Sequence, residues 1–389
     1  METEQRCSKR VREIKSSSIH EMTRLSSQIE DVAFLSWAKP TSDTPAHIKA
    51  AAVRAIEEGR VGGYSPSDGL PELRKLISEK LRRTNRIDAT WEETIVTIGA
   101  IEGLAASVMA VIDPGDEVIF PIPGYSTHIR QVQLASGIPV FVQTDEGKGY
   151  DLDLEAIEKA ITPKTKAIMY CSPNNPTGAV YTEKQLKGLA DIALKNDLFI
   201  ITDEAYEYFT YDGYEHFSIA SIPEMKERAL SSFTFTKSYA MTGWRIGYLH
   251  ADPSLIPQIG KAHNAFAICA PVVSQYAAIA ALDGPQECID EFREHYRSAR
   301  DLMCRRLDVL DHVFDYQKPK GSYLMFPRII AGGSEDSTGF CKNLLKEARV
   351  SVTPGIAFGP NGEGHARFSF CVPEQEINKA FDRMEEYFV

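Results

Sequence analysis

Six short apolar runs, each followed by a stretch of helical periodicity, constrain this chain more than any other feature of its sequence. They lie at 94–98, 118–120, 140–142, 167–170, 199–202 and 232–235. Runs of this length without polar alternation read as strands buried on both faces, and the helical stretches between them are the crossovers that parallel strands need. The expected fold is α/β, with a mainly parallel sheet between helices. Ligands of such sheets sit beyond the carboxyl ends of the strands, and the uncommon residues fall there. Gly99-Ala100 follows the first run, 121–125 (PIPGY) the second, 172–176 (SPNNP) the fourth, Asp203 the fifth and Lys237 the sixth. Five such placements point to one crevice.

The flanks follow another pattern. Residues 1–30 are charged and serine-rich, with a weak helical period at Ile19, Met22 and Leu25. A short strand is expected at 34–37 and a helix from Ala46, after Asp43-Thr44-Pro45. The loop GGYSPSDGLPELR from Gly62 leads into an amphipathic helix carrying Leu73, Leu76 and Leu81. Beyond about residue 280 come a long charged helix, 288–310, and short strands broken by Gly321, Gly332-Gly333, Pro354-Gly355 and Gly359. This predicts a large domain over 46–284 and a smaller α+β domain formed by 1–45 and 285–389.

Composition narrows the function. The 389 residues carry 43 basic and 54 acidic side chains, a net charge of −11, with no long basic block, which argues against a nucleic-acid partner. Seven cysteines occur singly with no C-x-x-C pair, so neither a disulfide framework nor a zinc site is signalled. The longest apolar run, near 104–112, is too short to span a bilayer, and the first residues lack an apolar signal region. A cytoplasmic enzyme is expected.

Lys237 and Arg245 share one segment, TFTKSYAMTGWRIGY, which opens with Thr234. A lysine of depressed pKa forms a Schiff base with a carbonyl, and an arginine fork matches a phosphate, so the segment suits a phosphorylated aldehyde. A solvated surface pair is the plainer alternative. Asp203 suits a helix cap, a metal ligand or a partner for a heterocyclic nitrogen. No histidine close in sequence completes a metal motif. Tyr206 is either core or a phenol donor, and Asn175 either a surface turn or an amide presented to the crevice. The free N–H groups at Ala100 and Ile101, opening a helix, offer an anion site. Arg367 is either a paired surface cation or a fork for a carboxylate.

Seven motifs in order, YSPSDGLPELR, VTIGAIEGL, SPNNPTG, DEAY, TKSYAMTGWRIGY, PKGSYLMFPR and PGIAFGPNGEGHARFSF, give the chain from about residue 34 onward a specific likeness. It resembles the pyridoxal-phosphate-dependent aminotransferases of fold type I, class I, the group of aspartate and aromatic aminotransferases. The resemblance implies that Lys237 holds the cofactor and moves the proton between Cα and C4′. It implies that Asp203 pairs with the pyridine nitrogen, that Tyr206 and Asn175 donate to the ring oxygen O3′, and that Tyr125 stacks on the ring. Arg245, Thr234, Ala100 and Ile101 would bind the phosphate, with Tyr64 reaching it from the other subunit of a homodimer. Arg367, with Ala38 and Asn175, would hold the substrate.

Two departures bear on substrate choice. Ile101 stands where several relatives have a lysine for a distal carboxylate, and SWAKPT at Ser36 replaces a G-x-P-D-F form. Lys15, Arg24 and Lys39 remain as substitutes, and an apolar pocket for aromatic donors is the alternative. The expected reaction moves the amino group of an L-amino acid, aspartate or aromatic, to a 2-oxoacid such as 2-oxoglutarate by a ping-pong mechanism. Two other readings are a lyase of the same fold, of carbon–sulfur or aminocyclopropane-carboxylate synthase type, and a non-catalytic cofactor-binding regulatory module.

Overall fold

The computed structural model describes residues 3–14, 17–332 and 335–388. At its centre is a seven-stranded sheet of β1 (Thr94–Thr97), β2 (Glu117–Ile122), β3 (Ile138–Gln143), β4 (Thr165–Cys171), β5 (Phe199–Asp203), β6 (Ala229–Thr234) and β7 (Gly247–His250). The spatial order is β1-β7-β6-β5-β4-β2-β3. Only β7 runs against its neighbours β1 and β6; every other adjacent pair is parallel.

All six expected runs are strands. The first and the last each end one residue early; at the last, the Thr234 side chain accepts a hydrogen bond from Thr236 N–H and so caps the short helix Phe235–Ser238. Alternate residues feed two apolar layers: Ile168, Ile200 and Phe233 belong to one cluster, Met169, Ile201 and Leu230 to another. All six are 0% exposed. Burial of such a side chain contributes about 1.5–3 kcal/mol, so both faces of the sheet are committed to helices. The crossover helices start where the sequence supplies caps. Thr182 and Gln185 form a capping box before Glu183–Lys195, and Asp153 caps Leu154–Lys159.

A third apolar cluster joins the long helix Glu287–Val309, the last helix Glu374–Phe388 and the short strands between them. Met22, Val32 and Leu35 from the start of the chain pack into it. The strand expected at 34–37 is shorter and earlier: Ala33–Phe34 pairs in parallel with Val350–Ser351. Beyond it the backbone turns toward other partners, with Ser36 Oγ 2.8 Å from Ser351 Oγ and the Trp37 ring stacked on Phe34 at 4.5 Å. The helix expected from Ala46 runs over Ala46–Glu57 and packs on Val272–Asp283. Pro71 opens the next helix at its first position, where its missing N–H costs nothing. Gly333 lies outside the described residues.

Candidate active site

The carboxyl ends of β5 and β6 and the helix after β1 open into one cavity of about 490 Å³. Ala38, Ala100, Ile101, Tyr125, Asn175 and Asp203 line it. So do Tyr206, Thr234, Lys237, Arg245 and Arg367. These are all the expected site residues except Tyr64. Tyr64 is 82% exposed and lies in the glycine-rich loop, outside this cavity.

Lys237 Nζ donates to the Ala38 carbonyl at 2.9 Å, and the Tyr323 hydroxyl donates to the same oxygen at 3.0 Å. Burial pulls the Lys237 ammonium down to about 8; the nearby Asp203 opposes that pull, and Arg367 and Arg245 add to it. A neutral amine is therefore available at mildly alkaline pH, as a nucleophile for an aldehyde requires. Asp203 sits at the last position of β5. Its Oδ1 accepts from Ala205 N–H at 3.1 Å and its Oδ2 lies 3.0 Å from His128 Nε2. The buried His128 stands edge-on to Tyr125, ring centroids 5.3 Å apart. Burial drives the Tyr206 phenol well above its ordinary pKa, so it stays a hydrogen-bond donor.

The opposite side of the cavity is built for an anion. Gly99, at φ +69°, opens the 13-residue helix Gly99–Val111, and a Cβ there would meet Arg245 Nη2 at 2.7 Å. A Cβ on Gly247 would meet Ala100 N at the same distance. Two bare backbones thus let the guanidinium and the helix's first N–H groups come together, an arrangement suited to phosphate. Arg245 is itself held at φ +51° with Nη1 donating to Thr242 O at 3.0 Å. The Thr234 hydroxyl is already engaged by Thr236 and by the Ile246 carbonyl. Thr242, also in the wall, keeps a buried Oγ1 with no partner.

Arg367 is 2% exposed. Its Nη2 donates to Ser36 O at 2.5 Å and to Thr353 Oγ1 at 3.3 Å, while Nη1 reaches Asn175 Oδ1 at 3.4 Å. Nε is buried without a partner. A buried, incompletely paired fork is costly unless a ligand completes it, and a carboxylate supplies the matching acceptors. The surface-pair alternatives do not describe what is seen, since Arg367 is buried and Lys237 and Arg245 both line the cavity.

Of the three substitute cations, Lys39 lines the mouth, 5.7 Å above the Trp37 ring. Arg24 is exposed and is not part of the wall, and Lys15 lies outside the described residues. Sequence reasoning missed Thr236 and Thr242, although both lie in the motif it singled out. It also missed His128, Tyr323, and Ile19 and Thr23 of the helix Ser18–Ser26, which line the cavity. The helical period of 18–26 was visible, but nothing in it told where the helix would pack. Among the described residues no group of three His, Cys, Asp or Glu is placed to hold a metal, and no helix is long and apolar enough to cross a membrane.

The residues present fit pyridoxal phosphate: a depressed lysine for the aldehyde, a carboxylate for the ring nitrogen, and a cation with free N–H groups for the phosphate. Comparison with known proteins agrees. The family model for aminotransferase class I and II matches residues 31–384. The aromatic-amino-acid aminotransferase 2 of Thermococcus litoralis is 38% identical over 97% of both chains, and the aspartate aminotransferase of Pyrococcus abyssi 39% identical over 95% of both. The structure of the Thermus thermophilus aspartate aminotransferase with maleate superposes with a TM-score of 0.92 at 35% identity, covering 98% of this chain and 99% of that one. This chain belongs to the class I and II aminotransferases, and pyridoxal phosphate is its cofactor.

Proposed function

We propose that the protein transfers the amino group of aspartate or an aromatic L-amino acid to a 2-oxoacid such as 2-oxoglutarate. The observation that carries this reading is the convergence of Lys237, Asp203 and Arg367 on one cavity. Both halves of the specificity have support. The two relatives are named for aspartate and for aromatic amino acids, and the neighbouring structure holds maleate, a dicarboxylate. In this chain Ile19, Trp37 and Ile101 make the mouth apolar, with Lys39 its cation.

When bound, the cofactor supplies an electron-withdrawing ring that takes up the electrons of the Cα–H bond. Arg367 binds the α-carboxylate through its unpartnered edge and so fixes which bond at Cα faces the ring. Lys237 Nζ would take the proton from Cα and return it two atoms away, at C4′, so that one amine serves as base and then as acid. Its low pKa keeps a neutral fraction ready for that work. Asp203, held by His128 and Ala205 N–H, favours the protonated pyridine nitrogen. Asn175 accepts from Arg367, which leaves its amide hydrogens for the ring oxygen beside Tyr206. Arg245, the Ala100 and Ile101 N–H groups and a threonine hydroxyl would hold the phosphate, and Tyr125 would cover the ring.

We further propose the division into a domain over 46–284 and one formed by 1–45 and 285–389, supported by an apolar cluster that gathers both chain ends and that Cys171, Ala205, Tyr206, Phe209 and Tyr211 join from the other domain. The outward position of Tyr64 supports a homodimer in which it completes the partner's phosphate site. The cytoplasm is the proposed compartment; all seven cysteines are free. Half-reaction spectra with aspartate, glutamate, alanine, tyrosine and phenylalanine test the function. Aspartate and the aromatic donors are expected to convert the cofactor fastest, and conversion by none of the five would refute the reading.

A further inference from the structure

Behind the phosphate side of the cavity is a histidine that the mechanism does not use. His263, on the helix Ile256–Ala267, has a side chain that is 0% exposed. Its Nδ1 lies 3.0 Å from both carboxylate oxygens of Glu102, and its Nε2 lies 2.9 Å from the Ser67 carbonyl. A carbonyl cannot donate, and Glu102 Oε2 already accepts from Ile98 N–H at 3.1 Å. Both ring nitrogens face acceptors, so both carry hydrogen and the ring is an imidazolium.

What it touches matters. Glu102 is the carboxylate in the first turn of Gly99–Val111, the helix whose leading N–H groups face the cavity. A carboxylate there caps Ile98 but also repels any anion bound at the same helix end. Ser67 belongs to the loop that carries Tyr64. The same loop is tied down by Asn264 Nδ2 on Ser67 Oγ at 3.2 Å and by Gln275, which donates to Ser65 Oγ at 2.8 Å and accepts from Leu70 N–H at 2.8 Å. The charged groups facing the ring are Glu102 and, from the loop, Asp68, itself paired with Arg74.

We propose that His263 is a positioning residue for the cofactor phosphate: as an imidazolium it joins Glu102 to the Ser67 carbonyl and neutralises the carboxylate beside the phosphate site, and loss of its proton loosens that end of the cofactor. The inference rests on the reading that Ala100, Ile101 and Arg245 hold the phosphate. Burial alone would lower the ring's pKa, but the hydrogen bond and charge of Glu102, with the Ser67 carbonyl, outweigh it and the net direction is up. The contribution is therefore complete below the ordinary histidine value of about 6.5 and is lost as pH rises through the higher folded value.

The test is the rate at which holoenzyme releases pyridoxal phosphate between about pH 6 and 9, read as visible absorbance remaining with the protein after gel filtration. Wild type should release it about tenfold faster at the alkaline end, the loss of one charge-assisted contact. His263→Gln should release it fast throughout, keeping only the pH dependence that all three proteins share. Glu102→Gln should be slow throughout, because the repelling carboxylate is gone. Titration of Lys237 is common to all three proteins and cancels in the comparison. A His263→Gln profile parallel to wild type overturns the inference, and so does an unchanged profile in Glu102→Gln. Arg245→Gln separates the two readings: release no faster than wild type would remove the phosphate site itself, whereas faster release beside an unaffected His263→Gln removes only the role of His263.

Discussion

Replacing Arg367 by lysine keeps one positive charge and removes a five-donor fork, which makes it a sharp probe of how the substrate is held. In the structure the guanidinium is anchored by Nη2 on the Ser36 carbonyl and by Nη1 on Asn175, leaving Nε without a partner. A lysine ammonium at the same place can satisfy the anchor or the substrate, but not both in the planar geometry of a carboxylate. The change loses two charge-assisted hydrogen bonds of about 1.5 kcal/mol or more each and recovers part of one, a net of about 2 kcal/mol. That is roughly thirtyfold in kcat/KM. The assay is steady-state turnover of the best donor with 2-oxoglutarate, run beside the slow reaction of an amine that lacks the α-carboxylate. The fall should appear with the amino acid and not with the simple amine. A kcat/KM within about threefold of wild type, or an equal fall for both, would refute the assignment of Arg367 to the carboxylate.

Four further outcomes are expected. Asp203→Asn should keep its fold by circular dichroism and lose nearly all transamination, because an amide cannot favour the protonated ring nitrogen. His128→Phe leaves Asp203 Oδ2 without its 3.0 Å partner and should cost about tenfold in kcat with a smaller effect on KM. Recombination of the apoprotein with pyridoxal phosphate should quicken as pH rises toward about 8 and then level off, since only the neutral Lys237 amine attacks; a rate still climbing well beyond that would mean an ordinary lysine. Mixing inactive Lys237→Ala with inactive Tyr64→Ala should restore activity, because a hybrid dimer holds one site with both residues intact, whereas no recovery would place Tyr64 outside the partner's site.

Much of the centre of this molecule is legible in the sequence because its determinants are local. A strand buried on both faces shows itself as an unbroken run such as AIMY, and a residue just past its end must lie at the edge of the sheet. Asp203 and Lys237 could therefore be placed without knowing the fold in detail. β7 was not legible: GYLH is four residues long and begins two residues after Arg245, so it read as the tail of the cation segment, and its antiparallel pairing with β6 depends on the path of the twelve residues between them. The same holds for contacts made across the chain. His128 meets Asp203 over 75 residues, and the buried Lys80 meets Glu207 at 2.6 Å over 127. No spacing rule reaches that far. Glu204, which the DEAY motif sets beside Asp203, turns away to His216, Ser218 and Thr202 in a buried polar cluster of its own. The strand's alternation explains that turn in retrospect.

The covalent address of the cofactor tests the central claim most directly. Borohydride reduction of the purified protein, followed by proteolysis and mass spectrometry, should find the pyridoxyl group on the peptide containing Lys237 and nowhere else. A label on another lysine, or none, would contradict the account.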